Sequence, residues 1–175
     1  MSAAAWLRAT LVVFVAAMLQ VVIVSSVVIA GGAPDLLLVV VVVLGLLRGS
    51  IPGAIFGFVG GLVVDLVTLG TLGVTSLVLT LAGFWAGRYA ETTGRERRFA
   101  PVIAVGTITV LAAAFGYVLY YLLDEEVVAQ HALVTALAPA FVFNVVLALP
   151  VTALVRRIVG EGTPEEAAPE VEVLV

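Results

Sequence analysis

Few side chains in this chain could do chemistry, and they stand far apart. Asp65 is the one carboxylate deep inside an apolar stretch. An aspartate near the middle of a lipid-embedded helix costs roughly 2.5–3.5 kcal/mol, less toward an interface. Two readings fit Asp65. It is a buried contact or ion site facing other helices, or it caps the turn at Gly70 or reaches out to the interface. Gln20 and Asn144 lie near the middle of two other apolar stretches. Amides there hydrogen-bond between helices, for about 1 kcal/mol or less, or line a ligand cavity; helix adhesion is the preferred reading. His131 is the sole histidine, so no second ligand stands at metal spacing.

Tests for catalysis fail in turn. A serine nucleophile needs a base, and the only histidine is at position 131. There is no HExxH, the helical zinc-protease signature. Shared-proton aspartate chemistry needs two carboxylates together, but Asp35 sits at the end of an apolar run and only Asp65 is deep in one. A phosphate loop ends in Lys-Ser/Thr, and the chain has no lysine. Nor does it have cysteine, which removes disulfides, thiolate metal sites and thiol catalysis. No catalytic residue, cofactor or metal is expected.

The elements that position these residues are membrane helices. Of 175 residues, 63% are hydrophobic and 11% charged, and the mean hydropathy is +1.26. Soluble domains run near 45–50% apolar and about 25% charged. The net charge is −4, with acids concentrated at Glu161, Glu165, Glu166, Glu170 and Glu172, so no basic domain exists to bind nucleic acid. All eight basic residues are arginines: Arg8, Arg48, Arg88, Arg95, Arg97, Arg98, Arg156 and Arg157. A six-span reading puts every one on the cytoplasmic side, as the positive-inside rule requires. The expected fold is all-α, a polytopic six-transmembrane-helix bundle with both termini cytoplasmic.

The spans read as 9–30, 35–47, 51–69, 74–90, 101–123 and 129–158, followed by an acidic, disordered tail over 160–175. The apolar run Leu11–Ala30 exceeds the roughly 7–15 residues of a signal h-region, so it reads as an uncleaved helix, although Ala30, Gly31 and Gly32 resemble a cleavage site. Pro34 suits the first position of the second helix, and Asp35 its first turn, where the helix dipole favours an acid. The second span is about 20 Å long against a hydrocarbon core of about 30 Å. It either thins the bilayer or buries its ends in protein. Ser50 can cap the third span and Pro52 start it. Gly53, Gly57 and Gly61 recur at i+4, with Gly60 beside them, a stripe that lets another backbone approach closely, inside the bundle or on a partner. Pro139 and Pro150 are expected to kink the last span.

Three stretches in order resemble a known family. They are Leu19-Gln20, Ala33-Pro34-Asp35-Leu36-Leu37-Leu38, and Gly53 to Leu66 with Phe58 and Gly60-Gly61 before Asp65; Leu69-Gly70, Leu72-Gly73 and a Gly83-to-Arg88 segment come after them. Together they resemble the rod shape-determining protein MreD family over about residues 15–90. The resemblance implies a non-enzymatic multi-pass protein of the bacterial inner membrane in the cell-elongation machinery. Its implied partners are MreC first, then MreB, RodA and PBP2, beside membrane lipid. The partner- or packing-site residues are then Gln20, Pro34, Asp35, Gly53, Gly57, Phe58, Gly60, Gly61, Asp65 and Asn144. The fold also resembles substrate-binding subunits of energy-coupling-factor transporters. That alternative function, a small-molecule-binding membrane subunit, needs polar side chains gathered in the outer half of the bundle. The candidates are Asp65, Asn144, Thr135 and His131.

Overall fold

A thirteen-residue helix, Leu36–Arg48, forms the axis of the bundle, and every residue from Leu37 to Leu47 in it is buried. The structure, a computed structural model, describes residues 3–26, 33–93, 100–123 and 137–160. Among these residues it is all-helical. The helices are α1 (Ala3–Ser26), α2 (Leu36–Arg48), α3 (Ser50–Thr68), α4 (Val74–Thr93), α5 (Ala100–Leu122) and α6 (Leu137–Val159).

The composition of α2 explains its place. It is apolar on all sides, and such a helix belongs where no side meets water. All five other helices pack against it. Its valine run, Val39–Val43, is fully helical and buried. Valine disfavours helix only mildly, whereas a strand isolated in lipid leaves its backbone groups unpaired. Of the two outcomes open for this short span, burial in protein is the one realised.

The surrounding helices carry the lipid-facing surface. α1, α3, α5 and α6 are long and apolar enough to cross a membrane. Their outward faces keep large apolar side chains exposed, among them Leu11 and Phe14 on α1, Ile51 and Phe58 on α3, Leu111 on α5 and Val146 on α6. Outward apolar patches of this extent are stable in hydrocarbon and a liability in water. The chain is a membrane helical bundle.

Several boundaries differ from expectation. α1 starts at Ala3, so Trp6 and Arg8 lie within its first turns rather than flanking it, and Trp6 packs on Phe56 of α3 with ring centroids 4.9 Å apart. Pro34 precedes α2 instead of opening it. Asp35 takes the N-cap position, because its side chain can accept the Leu38 N–H at 3.0 Å. Ser50 does not cap α3. Gly49 stands at that position with φ 99°, and Ser50 is the first helical residue. α4 runs three residues past its expected end, to Thr93. α6 continues through Pro150, while Pro139 falls in its first turn. The expected start of the sixth span at 129, the cleavage-like residues Ala30 to Gly32, and the tail from 161 lie outside the described residues.

Candidate functional site

The start of α2 is a hydrogen-bonded junction of four helices. The first backbone N–H groups of a helix lack intrahelical acceptors, and here side chains of neighbouring helices supply them. Gln20 of α1 supplies Oε1 to the N–H of Leu36 at 2.7 Å and, more weakly, to that of Leu37 at 3.4 Å. Its Nε2 donates to the Pro34 carbonyl at 3.1 Å. Asn144 of α6 accepts the Asp35 N–H through Oδ1 at 2.8 Å and donates through Nδ2 to Thr109 Oγ1 of α5 at 3.2 Å. Asp35 itself accepts the Leu38 N–H. Four successive donors, from residue 35 to residue 38, are thus satisfied. Gln20 and Asn144 are buried, and both amides use their acceptor and donor atoms.

Asp65 performs the same task for α4. It is buried. Its Oδ2 accepts from Gly73 N at 3.0 Å and Ser76 N at 3.2 Å, and its Oδ1 from Thr75 N at 3.3 Å. A carboxylate at the start of a helix also meets the positive end of the helix dipole. Asp65 is thus a buried contact between helices that also caps one, and the helix it caps is α4, at its opening turn, rather than the Gly70 turn. The link between α3 and α4 reverses through Leu69 and Gly73, both at positive φ (52° and 97°).

At the opposite end of the bundle, two more side chains close helix ends. Glu91 of α4 accepts from both the backbone N–H (2.8 Å) and the hydroxyl (2.9 Å) of Ser50, at the start of α3. It also pairs with Arg88 at 3.4 Å. Glu91 lies past the apolar part of α4. The Ser50 N–H bond holds its carboxyl below the ordinary value; desolvation opposes it, and the Ser50 hydroxyl and Arg88 add smaller lowering effects. Arg48, the last residue of α2, donates through one terminal nitrogen to the Val159 and Gly160 carbonyls at 2.5 and 2.9 Å. These are end carbonyls of α6, a favourable place for a cation. Arg48 Nε is, among the described residues, the one buried side-chain polar atom without a hydrogen-bond partner.

The glycine stripe forms the seam between α3 and α4. A Cβ at Gly57 would land on the Leu79 carbonyl, one at Gly53 on the Gly83 carbonyl, and one at Gly61 on the backbone of Ser76. α4 answers with glycines of its own: a Cβ at Gly83 would strike Gly53, and one at Gly87 would strike Gly49 and Ser50. Gly45 of α2 joins them, with Gly83 O only 2.5 Å from where its Cβ would be. Gly60 faces elsewhere, toward Val13 of α1 and Leu37 of α2. The stripe is therefore internal packing. Phe58, on the reverse face, is half exposed and the only exposed member of the ten expected site residues.

The family profile described as rod shape-determining protein MreD matches residues 2–158. The chain belongs to the MreD family. The match runs from the start of α1 almost to the end of α6, and so carries the resemblance beyond the first 90 residues. Neither curated proteins nor solved structures gave a match. In this MreD-family bundle, the structure joins Gln20, Pro34, Asp35 and Asn144 in one junction, and Asp65 forms a separate one. His131 and Thr135 lie outside the described residues. Sequence reasoning missed Arg48, Ser50, Glu91 and Thr109 as members of junctions, and Gly45, Gly83 and Gly87 as members of the seam. The glycines carried a signal: Gly83 and Gly87 stand at i+4, the same spacing as the α3 stripe.

Proposed function

We propose that the protein is a non-enzymatic scaffold of the cell-elongation complex, set in the bacterial inner membrane with its arginine-bearing end toward the cytoplasm. It supports lateral peptidoglycan synthesis by contacting MreC, within an assembly that includes MreB, RodA and PBP2. The observation that carries this reading is the match to the rod shape-determining family over nearly the whole bundle. The interior agrees with it. The deep polar side chains Gln20, Asp65 and Asn144 are engaged with helix ends. Asp65 and Asn144, which a transported small molecule would need in one place, serve different helices.

Phe58 is where we place a contact with a partner span. It lies within the family-like glycine motif yet packs no core, being 50% exposed. The test is co-purification with MreC, alongside rescue of rod shape in cells depleted of the protein. Phe58→Ala should keep the bundle folded and lower MreC recovery several-fold. Full recovery with Phe58→Ala would remove that contact, and failure of the wild-type chain to recover MreC would remove the scaffold reading.

A further inference from the structure

We propose that a second copy of this chain docks on the outward face of α5 and α6, with Thr107 of each copy donating a hydrogen bond to the Val146 carbonyl of the other. Two polar groups on that face lack the partners a helix normally gives them. The first is a carbonyl. Pro150 lies inside α6 and has no N–H, so the carbonyl four residues before it, that of Val146, loses its ordinary donor. No side chain among the described residues donates to it. Val146, Leu149 and Pro150 are all exposed, so this stretch of α6 faces lipid. The second is the hydroxyl of Thr107, on the exposed side of α5. Thr10, Thr68, Thr80, Thr92 and Thr152 each donate to the carbonyl four residues earlier. Thr107 donates to nothing among the described residues. Acyl chains supply neither donor nor acceptor, so both groups are costly while unpaired in hydrocarbon.

The donor and the acceptor stand at one depth. α5 and α6 are antiparallel neighbours: Asn144 Nδ2 bonds Thr109 Oγ1 at 3.2 Å, and a Cβ at Gly106 would lie 3.5 Å from Val145 Cγ2. Residue 107 is therefore level with residues 145 and 146. Both Thr107 and Val146 lie at least about 10 Å from either end of their helices, well inside the span. A two-fold axis along the membrane normal keeps two copies in the same orientation, as the arginines require, and brings equal depths together. It sets the donor of each copy against the acceptor of the other, so both bonds form at once. A different partner would have to bring an acceptor and a donor of its own at matched depth. The flanking residues suit close helix contact. Ile103, Thr107, Val110 and Ala114 recur at spacings of four, three and four along α5, and all are exposed; this is the seam spacing of paired helices, and Thr107 and Ala114 are small enough to let backbones approach. Among the described residues α3, which carries Phe58, touches neither α5 nor α6, so a second copy here leaves the Phe58 face free.

The chain lacks cysteine, so cross-linking can be directed. Val110 on α5 and Val142 on α6 are exposed on this face and nearly level with each other. Full-length copies carrying Val110→Cys with one tag are mixed with copies carrying Val142→Cys with another, in phosphatidylcholine vesicles, and oxidised. A disulfide-linked species bearing both tags is expected. The corresponding mixture of Ile55→Cys and Leu66→Cys, on the exposed face of α3, should give none. Energy transfer between labelled copies, followed as lipid is added, gives the dissociation constant. Thr107→Val keeps the side-chain shape at a lipid-facing position and removes both bonds of the pair, which should raise that constant about tenfold; Thr107→Ser should restore it. A monomer at every lipid dilution would overturn the proposal. So would a dimer that cross-links through α3 instead, or one that Thr107→Val leaves equally tight, because the hydroxyl would then have no part in the contact.

Discussion

Asp65 offers the sharpest quantitative test of capping between helices. Its carboxylate accepts three N–H groups at the start of α4, of which the bond from Ser76 is buried and those from Gly73 and Thr75 are partly buried. Asp65→Ala removes all three acceptances. Loss of a cap costs about 0.5–2 kcal/mol, and a buried donor left unsatisfied costs about 1–3 kcal/mol. A total near 3 kcal/mol is expected. Asp65→Asn keeps one oxygen. Set where Oδ2 now lies, that oxygen retains the 3.0 and 3.2 Å bonds and gives up the 3.3 Å bond and the charge, a loss of about 1 kcal/mol. The two variants should thus differ by roughly 2 kcal/mol, about thirtyfold in the folding equilibrium. Reversible unfolding in mixed detergent micelles, followed by the fluorescence of Trp6 and Trp85, measures the difference. Equal losses for the two variants would mean that the acceptor geometry is not what stabilises α4. No loss in Asp65→Ala would refute the cap altogether.

The seam, the turn and the polar end yield further outcomes. Gly57→Ala should destabilise the bundle by more than about 3 kcal/mol, because its Cβ meets the Leu79 backbone, which has no rotamer to yield. Gly116→Ala, where the nearest atom is Val78 Cγ2 at 3.9 Å, should be neutral or slightly stabilising; the same unfolding assay compares them. Leu69→Gly should stabilise by about 0.5 kcal/mol, since Leu69 is 90% exposed and holds a left-handed φ of 52° that costs a non-glycine residue roughly 1–2 kcal/mol, partly offset by glycine's freedom when unfolded. For Glu91 the folded pKa lies below its ordinary 4.5. Its contribution is therefore complete above about pH 4.5 and lost as pH falls through the folded value. Glu91→Gln should remove that acid-side loss from a stability–pH profile.

The sequence announced the fold more clearly than the junctions. Hydropathy and arginine placement located the helices, because lipid permits only hydrogen-bonded helices or closed barrels. The length of the Leu36–Arg48 run marked it as unusual, and its all-round apolarity could have marked it as central. Gln20, Asp65 and Asn144 were visible as polar residues in apolar surroundings. Their targets were not, because a cap supplied by another helix has no local spacing to read: 109 positions separate Asp35 from its acceptor Asn144. Ser50 misled for a related reason. A serine before a proline at a helix start reads as an N-cap, yet Glu91, 41 positions away, takes the Ser50 hydroxyl as a donor. Glu91 and Arg48 looked like ordinary charges at a membrane boundary, and only the packing of α4 on α3 and of α6 on α2 gave them partners.

Backbone amide exchange at the start of α2 tests the central claim most directly, namely that the deep polar side chains exist to close helix ends. Exchange is measured over residues 35–40 in wild type, Gln20→Leu and Asn144→Ala, with the folded bundle confirmed by protection in α3. Slow exchange across this turn is predicted in wild type, and faster exchange confined to it in each variant. Unchanged protection in both variants would contradict the claim.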